Sequence, residues 1–278
     1  MYNIAFFFVV CDADIPLLYL ATHCLNKNWQ GPKHIVIVSD QCTVEFKQLI
    51  SNVLPTWTIT YIDGCPTSLG GYYAQGWYRQ QVYKLVSPIQ TTYDWLIVLD
   101  CKNLMVRESN VSDFIDDGRQ LAVAAAYSEI VTEWKTNLDS GYTSEMVTES
   151  KQFVNGRESE LLIYTITPQI FNRSVLDEMN SKFNFDKIEN WKGTEFFIYW
   201  YYYNTFHNPK WMTNHHAVVS DISERRWDAP ALTKDTLFLN LHRKNLSTSA
   251  IPTAIELVVR GIIDQAIVAT FFDLVYRC

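Results

Sequence analysis

Trp95-Leu96-Ile97-Val98-Leu99 runs without a break into Asp100-Cys101-Lys102-Asn103. An apolar run of this kind marks a strand buried on both faces, as in a parallel sheet covered by helices. It is the most hydrophobic strand of the chain, and it stops at a carboxylate followed by a short polar motif. Working back from it, the same pattern recurs. Ile4–Cys11 is a continuous apolar run, followed by a short helix over Pro16–Leu25 with Asp14 at its N-cap. His34–Ser39 is a second strand, and Val44–Val53 a second helix ended by Pro55. Trp57–Ile62 alternates and is β-branched, which makes a third strand, and Tyr73–Val86 is a helix stopped before Pro88. This β-α-β-α-β-α-β series predicts a parallel, twisted sheet sandwiched by helices.

Past Asp100 the order loosens. Leu121–Tyr127 and Leu161–Thr167 read as strands, Arg173–Met179 as a helix and Glu195–Phe206 as a strongly aromatic helix. Residues 128–160 are polar and read as loops with a short helix, while Thr236–Leu241 is a late strand ending at His242-Arg243-Lys244. No internal repeat or linker-like segment divides the chain. The expectation is therefore one α/β domain with a mixed sheet flanked by helices. The mostly apolar stretch Ala254–Tyr276 carries Glu256, Arg260 and Asp264 at every fourth position, a charged ladder down one helical face. With Asp273 added, no uncharged run is long enough to span a bilayer, so an amphipathic helix packed on the body is expected. Ile4–Cys11 lacks a basic region before it and leads straight to Asp12 and Asp14, so it reads as a strand and not a signal peptide.

Composition bounds the function classes. Hydrophobic residues make up 48% of the 278 and aromatic residues 14%, which excludes a disordered chain. The formal net charge of −7 argues against a protein whose main contact is a nucleic-acid backbone, where phosphate neutralisation supplies most of the affinity. The cysteines, Cys11, Cys24, Cys42, Cys65, Cys101 and Cys278, form no CxxC pair and have no metal-like spacing. A reduced, cytoplasmic protein is expected.

In open α/β sheets, ligands bind outside the carboxyl ends of the strands. Those ends carry Cys11-Asp12-Ala13-Asp14, Ser39-Asp40, Asp63-Gly64 and Asp100-Cys101-Lys102-Asn103. An Asp after a strand is also a common cap or turn former. Asp100 stands apart, because an Asp held at the end of a buried strand can coordinate a cation or bind a ribose hydroxyl with little rotamer freedom left to lose. The helix before it is the second concentration. Trp77, Gln80, Gln81 and Lys84 share one helical face, while Tyr78, Val82 and Leu85 point elsewhere. A ring, two amides and a cation on one face suit a base, hydroxyls and a phosphate; a solvated face with a snorkelling Lys84 gives the same pattern. The run from Phe196 to Tyr203 is too dense in rings to be wholly buried, so part of it is expected to line a cleft or an interface. The pair His215-His216 lacks helical ligand spacing and reads as loop.

Gly76-Trp77-Tyr78-Arg79-Gln80-Gln81-x-x-Lys84-Leu85, followed by a strand ending Val98-Leu99-Asp100-x-Lys102-Asn103, resembles a GT-A-type glycosyltransferase-like family of bacterial and phage genomes. Thr167-Pro168-Gln169-Ile170-Phe171, Thr194-Glu195-Phe196-Phe197-Ile198-Tyr199 and the late His242 extend the resemblance over about residues 4 to 245. It implies a Rossmann-type character for the mixed sheet, with a nucleotide-sugar-binding half over 1–103, an acceptor half over 104–245 and a C-terminal amphipathic helix over 246–278. The activity implied is transfer of a hexose or pentose from a nucleoside-diphosphate sugar to a hydroxyl of a glycan or of a modified base in phage DNA. The alternative is a catalytically silent nucleotide-sugar-binding or scaffold protein of the same fold.

Under this resemblance Asp100 matches the first carboxylate of the Asp-x-Asp motif, which binds the metal bridging the donor diphosphate. The third position here is Lys102, and a cation cannot ligate a cation. Two cofactor readings follow: Mn²⁺ or Mg²⁺ held by Asp100 and His242, or metal-independent action in which Lys102 neutralises the diphosphate. The implied donor-binding set is Asp12, Trp77, Gln80, Gln81, Lys84, Asp100, Lys102, Asn103, His242 and Arg243. Sugar transfer passes through an oxocarbenium-like transition state as the diphosphate leaves, and an inverting reaction also needs a carboxylate base near the acceptor. Glu195 is the first candidate and Asp221 the reserve. Glu195 at a helix start is also what the helix dipole favours on its own, and His242 could be a structural imidazole.

Overall fold

Seven consecutive buried residues, IAFFFVV over Ile4–Val10, form the first strand, as their unbroken apolar character requires. The computed structural model describes residues 2–40, 42–64, 76–126, 144–163, 167–185, 193–214, 218–220, 235–240, 258, 261 and 263–277. In chain order the elements are β1 (Ile4–Val10), α1 (Ile15–Asn28), β2 (His34–Ser39), α2 (Val44–Val53), β3 (Thr58–Asp63), α3 (Gly76–Val86), β4 (Trp95–Leu99) and β5 (Asn103–Met105). Then come β6 (Ile115–Asp116), β7 (Arg119–Ala122), β8 (Ala124–Ala126), α4 (Ser144–Phe153), β9 (Leu161–Ile163), β10 (Gln169–Asn172) and α5 (Arg173–Lys182). The remainder are α6 (Glu195–Phe206), β11 (Lys210–Thr213), β12 (Val218–Ser220), β13 (Phe238–Asn240) and α7 (Gln265–Arg277). The fold is α/β, with a central mixed sheet and helices.

The chain forms two compact units. One comprises Ala5–Gly64, Leu99–Asp113 and His216–Cys278. Here β1 pairs parallel with β2, Phe6 opposite Ile35, and β2 pairs parallel with β3, Ser39 opposite Asp63. Phe6 sits 4.9 Å edge-on from the Trp29 ring and 6.0 Å from that of Trp57, and all three rings are buried in the core of this unit. Buried aromatic pairs of this kind add about 0.5–1.5 kcal/mol beyond the area they bury. Helix α1 packs on α2, β5 and α7. Asp14 does occupy the N-cap position of α1, but its side chain caps nothing there. Its Oδ2 accepts the Cys11 thiol at 2.8 Å instead. Cys24 and Cys101 are buried, and burial pushes the Cys24 thiol up to about 12.

The C-terminal segment departs from one continuous helix over Ala254–Tyr276. Val258 is helical, Gly261 turns left-handed at φ +66°, and α7 starts at Gln265. Glycine takes that conformation without the Cβ clash other residues meet, so the ladder of charges does not run on past residue 261. Within this unit Lys27 Nζ donates to the Gly261 carbonyl.

The other unit comprises Met1–Ile4, Cys65–Val98 and Phe114–His215. Its β4 pairs antiparallel with β10, Ile97 opposite Ile170. The expected strand Leu121–Tyr127 is divided between β7, which pairs with β6 and β11, and β8, which pairs with β9. Helix α6 packs against α3, α4, α5 and β9. Its nine residues from Glu195 to Tyr203 are all buried, which corrects the expectation that part of this aromatic run faces a cleft. The reason lies in the hydroxyls. Tyr199 Oη accepts the Asn172 amide at 2.7 Å, Tyr203 Oη accepts Gln120 Nε2 at 2.6 Å, and Tyr202 Oη donates to Glu178 at 2.7 Å. A tyrosine whose oxygen has a partner can be buried like a phenylalanine.

Candidate functional site

The polar motif after β4 folds back on itself. The Asp100 backbone N–H donates to Asn103 Oδ1 at 2.6 Å, and the Asn103 N–H returns a bond to the Asp100 carbonyl at 2.9 Å. Lys102 Nζ lies 3.3 Å from Asp100 Oδ2, with side chains 31% and 28% exposed, so the pair is partly open to solvent. Asn103 opens β5 and is fully buried. Its Nδ2 donates to Oδ1 of Asn240, the last residue of β13.

The small sheet explains why these groups meet. β13 pairs antiparallel with β5 and parallel with β12, in a register that places Asn103, Asn240 and Ser220 in one row. The carboxyl ends of β12 and β13 therefore share an edge with the amino end of β5. From this edge the chain continues directly to Asp221 and to Leu241-His242-Arg243, and backwards to Lys102 and Asp100. Asp221, His242 and Arg243 themselves lie outside the described residues. Asn240 is completely buried, and its Nδ2 has no hydrogen-bond partner among the described residues. An orphaned buried donor of this sort costs about 1–3 kcal/mol. Sequence reasoning did not select Asn240. Its signal was one amide at the end of the apolar run Leu237-Phe238-Leu239, and its partner stands 137 residues away.

The resemblance calls for Mn²⁺ or Mg²⁺ at Asp100. Among the described residues no three His, Cys, Asp or Glu side chains gather as a cation site. The Asp100 carboxylate instead faces the Lys102 ammonium. The described residues alone therefore do not fit a divalent ion.

The second group lies in the other unit and joins α3 to α6. Lys84 Nζ meets Glu195 Oε1 at 3.0 Å, with side chains only 6% and 4% exposed. The ammonium also stands 4.8 Å from the Phe196 ring centroid, over its negative face. Gln81 is buried as well, and its Oε1 accepts the Glu195 backbone N–H at 3.3 Å while its Nε2 has no partner among the described residues. Thr194 fixes the helix start: its Oγ1 accepts the Phe197 N–H at 3.2 Å, and its own N–H donates to Ser150 Oγ at 3.1 Å. Gln81 and Lys84 thus leave the solvated-face reading behind, whereas Gln80 is half-buried. Trp77 lies on α3 and Asp12 in a short helical turn over Asp12–Asp14, with their side chains outside the description. The sequence candidates accordingly fall into two local groups, Asp100-Lys102-Asn103 and Gln81-Lys84-Glu195.

No helix among the described residues is long and apolar enough to cross a membrane. The structure is similar to that of core-mannan synthase A from Aspergillus fumigatus in its Mn/GDP form, at 12% identity, over 74% of this chain and 70% of that chain, with a TM-score of 0.42. No curated protein matches the chain. A family profile does match, over residues 3–239, and by that match the chain belongs to DUF6492, a family of unknown function.

Proposed function

We propose that the protein is a glycosyltransferase that moves a sugar from a nucleoside-diphosphate sugar to a hydroxyl acceptor. One observation carries this reading: the row Asn103–Asn240–Ser220, at whose edge the chain enters and leaves the segments bearing Asp100, Lys102, Asp221, His242 and Arg243. In the reaction the anomeric carbon–oxygen bond to the diphosphate breaks, and the diphosphate leaves with the bonding electrons. The acceptor oxygen bonds to the anomeric carbon and gives up its proton. The Lys102 ammonium is assigned to the charge that grows on the diphosphate, a task for a preorganised cation at a partly sheltered site. Asp100, which pairs with that ammonium, is assigned to hold it and to accept a hydrogen bond from a donor hydroxyl. Asp12, Trp77, Gln80, His242 and Arg243 complete the donor set in this reading.

Glu195 and Asp221 are the carboxylates proposed for the acceptor's proton. Glu195 Oε1 is engaged by Lys84, so Gln81 and Lys84 are assigned to holding this carboxylate, and its use as a base requires the pair to part. A glycan hydroxyl is the favoured acceptor over a modified DNA base, because a net charge of −7 repels a phosphate backbone.

A second reading has its own observation. Lys102, which the resemblance sets at the place of a metal-binding carboxylate, pairs with Asp100, an arrangement that also suits a nucleotide-sugar-binding protein without turnover. Incubating the protein with UDP-, GDP- and CMP-sugars, with and without Mn²⁺, separates the two. Release of nucleotide supports transfer, binding without release supports the second reading, and neither binding nor release excludes both. Asp100→Ala is expected to abolish release, and Lys102→Asp to lower metal-free release. Unchanged metal-free turnover in Lys102→Asp removes lysine from the role of metal substitute.

A further inference from the structure

The orientation of the Asn240 amide is dictated from the Asp100 backbone outward. The Asp100 N–H needs an acceptor, so Asn103 turns Oδ1 towards it. That leaves Asn103 Nδ2 as a donor facing Asn240, so Asn240 turns its own Oδ1 inward to accept. Flipping either amide would set two donors against one another. Asn240 Nδ2 is thereby forced away from Asn103, and it is buried there with no partner among the described residues. An oriented, unpaired buried donor two hydrogen bonds from the Asp100 loop calls for a reason, because buried polar groups are almost always satisfied. Other buried donors among the described residues also lack a partner, Gln81 Nε2 and Trp200 Nε1 in the other unit and Arg107 Nε in this one, but none of them is hydrogen-bonded to the Asp100 loop through its own side chain as Asn240 is.

We infer that Asn240 is a ligand-binding residue of the Asp100 site, its Nδ2 donating to a phosphate oxygen of a nucleoside diphosphate. This rests on the glycosyltransferase reading and adds a residue to it. Phosphate is the matching chemistry, because Lys102 supplies a cation on the same loop and Asn240 supplies a neutral N–H with no acceptor of its own. Asn103 is then a positioning residue that ties the Asp100 loop to that donor. A sugar hydroxyl could accept the same hydrogen bond, so the test separates the two.

The experiment titrates UDP and GDP, and their glucose and mannose conjugates, into the full chain by calorimetry, with thermal unfolding of each variant alongside. Asn240→Ala is expected to weaken the binding of the free diphosphate roughly tenfold, the loss of one good hydrogen bond to a charged group. The ratio of nucleotide-sugar to nucleotide affinity should stay as in the wild type. A change confined to the sugar conjugates overturns the phosphate assignment. Asn103→Ala breaks the same amide pair from the other side but keeps Asn240 Nδ2, so it should weaken binding less. Equal losses in the two alanine variants overturn the inference and leave Asn240 a brace. Should Asn240→Ala fail to fold, Asn240→Asp keeps the oxygen that faces Asn103 while removing the donor, and it must lose at least as much affinity. Wild-type affinity in either Asn240 variant sinks the proposal alone. A wild type that binds no nucleotide sinks it together with the reading it rests on.

Discussion

Lys84 and Glu195 have given up nearly all their water for one another, and the 3.0 Å contact over the Phe196 ring is what they received in return. Removing one member of a buried ion pair typically costs about 3–5 kcal/mol, whereas replacing both with apolar side chains of similar volume is often close to neutral. Lys84→Met should therefore lower the unfolding free energy by about 3–5 kcal/mol. Lys84→Met with Glu195→Leu should regain most of that loss in urea denaturation. A double variant as unstable as the single one would mean that Lys84 does something other than neutralise Glu195. The residue types of this pair were legible in the sequence as functional candidates, but the pairing was not. Lys84 and Glu195 are 111 positions apart, and helical periodicity speaks only of neighbours on one helix. Asn240 is the stronger case of the same limit: an amide in a strand means little until register places another amide opposite it.

At the scale of elements, local rules set the boundaries and distant segments set the surroundings. Thr194 caps α6, so Thr194→Ala should cost about 1 kcal/mol, read as a lowered midpoint in thermal or urea unfolding. The helix was readable to its ends because Thr194 at the cap and Glu195 in the first turn are short-range signals. Its complete burial was not readable, since it depends on Asn172, Gln120 and Glu178 finding the tyrosine hydroxyls. Strand β4 was likewise legible, while its antiparallel partner β10 belongs to a later segment without the β-α rhythm of the first hundred residues. Glu178 shows how α5 and α6 are joined at their surface. Hydrogen bonds from Lys182 at 2.5 Å and Tyr202 at 2.7 Å, with charge from Lys182 and His207, hold its carboxyl down at about 2, below its ordinary 4.5. A carboxyl whose value is depressed on folding stabilises the fold above its unfolded value and loses that contribution as pH falls. The contribution of Glu178 is present above pH 4.5 and disappears towards pH 2. Its side chain is 36% exposed, so the effect is small. Glu178→Gln should flatten the fall of the thermal midpoint between those two pH values, and an unchanged profile would show that this network contributes no pH dependence.

For the whole molecule the proposed chemistry sets an acidic chain the task of holding an anion. A net charge of −7 repels a diphosphate at long range, so affinity must come from nearby groups such as Lys102 and the orphaned donor of Asn240. Salt then has two opposing effects. It screens the unfavourable field of the whole chain and also weakens the favourable contact with the partly exposed Lys102, within a Debye length of about 8 Å at physiological ionic strength. Binding of a nucleoside diphosphate should consequently depend only weakly on salt, unlike the steep loss typical of a basic phosphate-binding surface. The same binding must raise stability, because a ligand that binds the folded chain alone contributes about 2.7 kcal/mol at one hundred times its Kd. For a chain of this length that is a rise of several degrees in the unfolding midpoint. UDP or GDP should therefore raise the midpoint of the wild type, and Lys102→Ala should remove most of the rise while leaving the unliganded midpoint nearly unchanged, since a partly exposed ion pair contributes about 0–1 kcal/mol. A shift that survives Lys102→Ala would place the nucleotide elsewhere on the chain, and a shift that collapses steeply with salt would mean that a cationic surface outside the Asp100 loop does the binding.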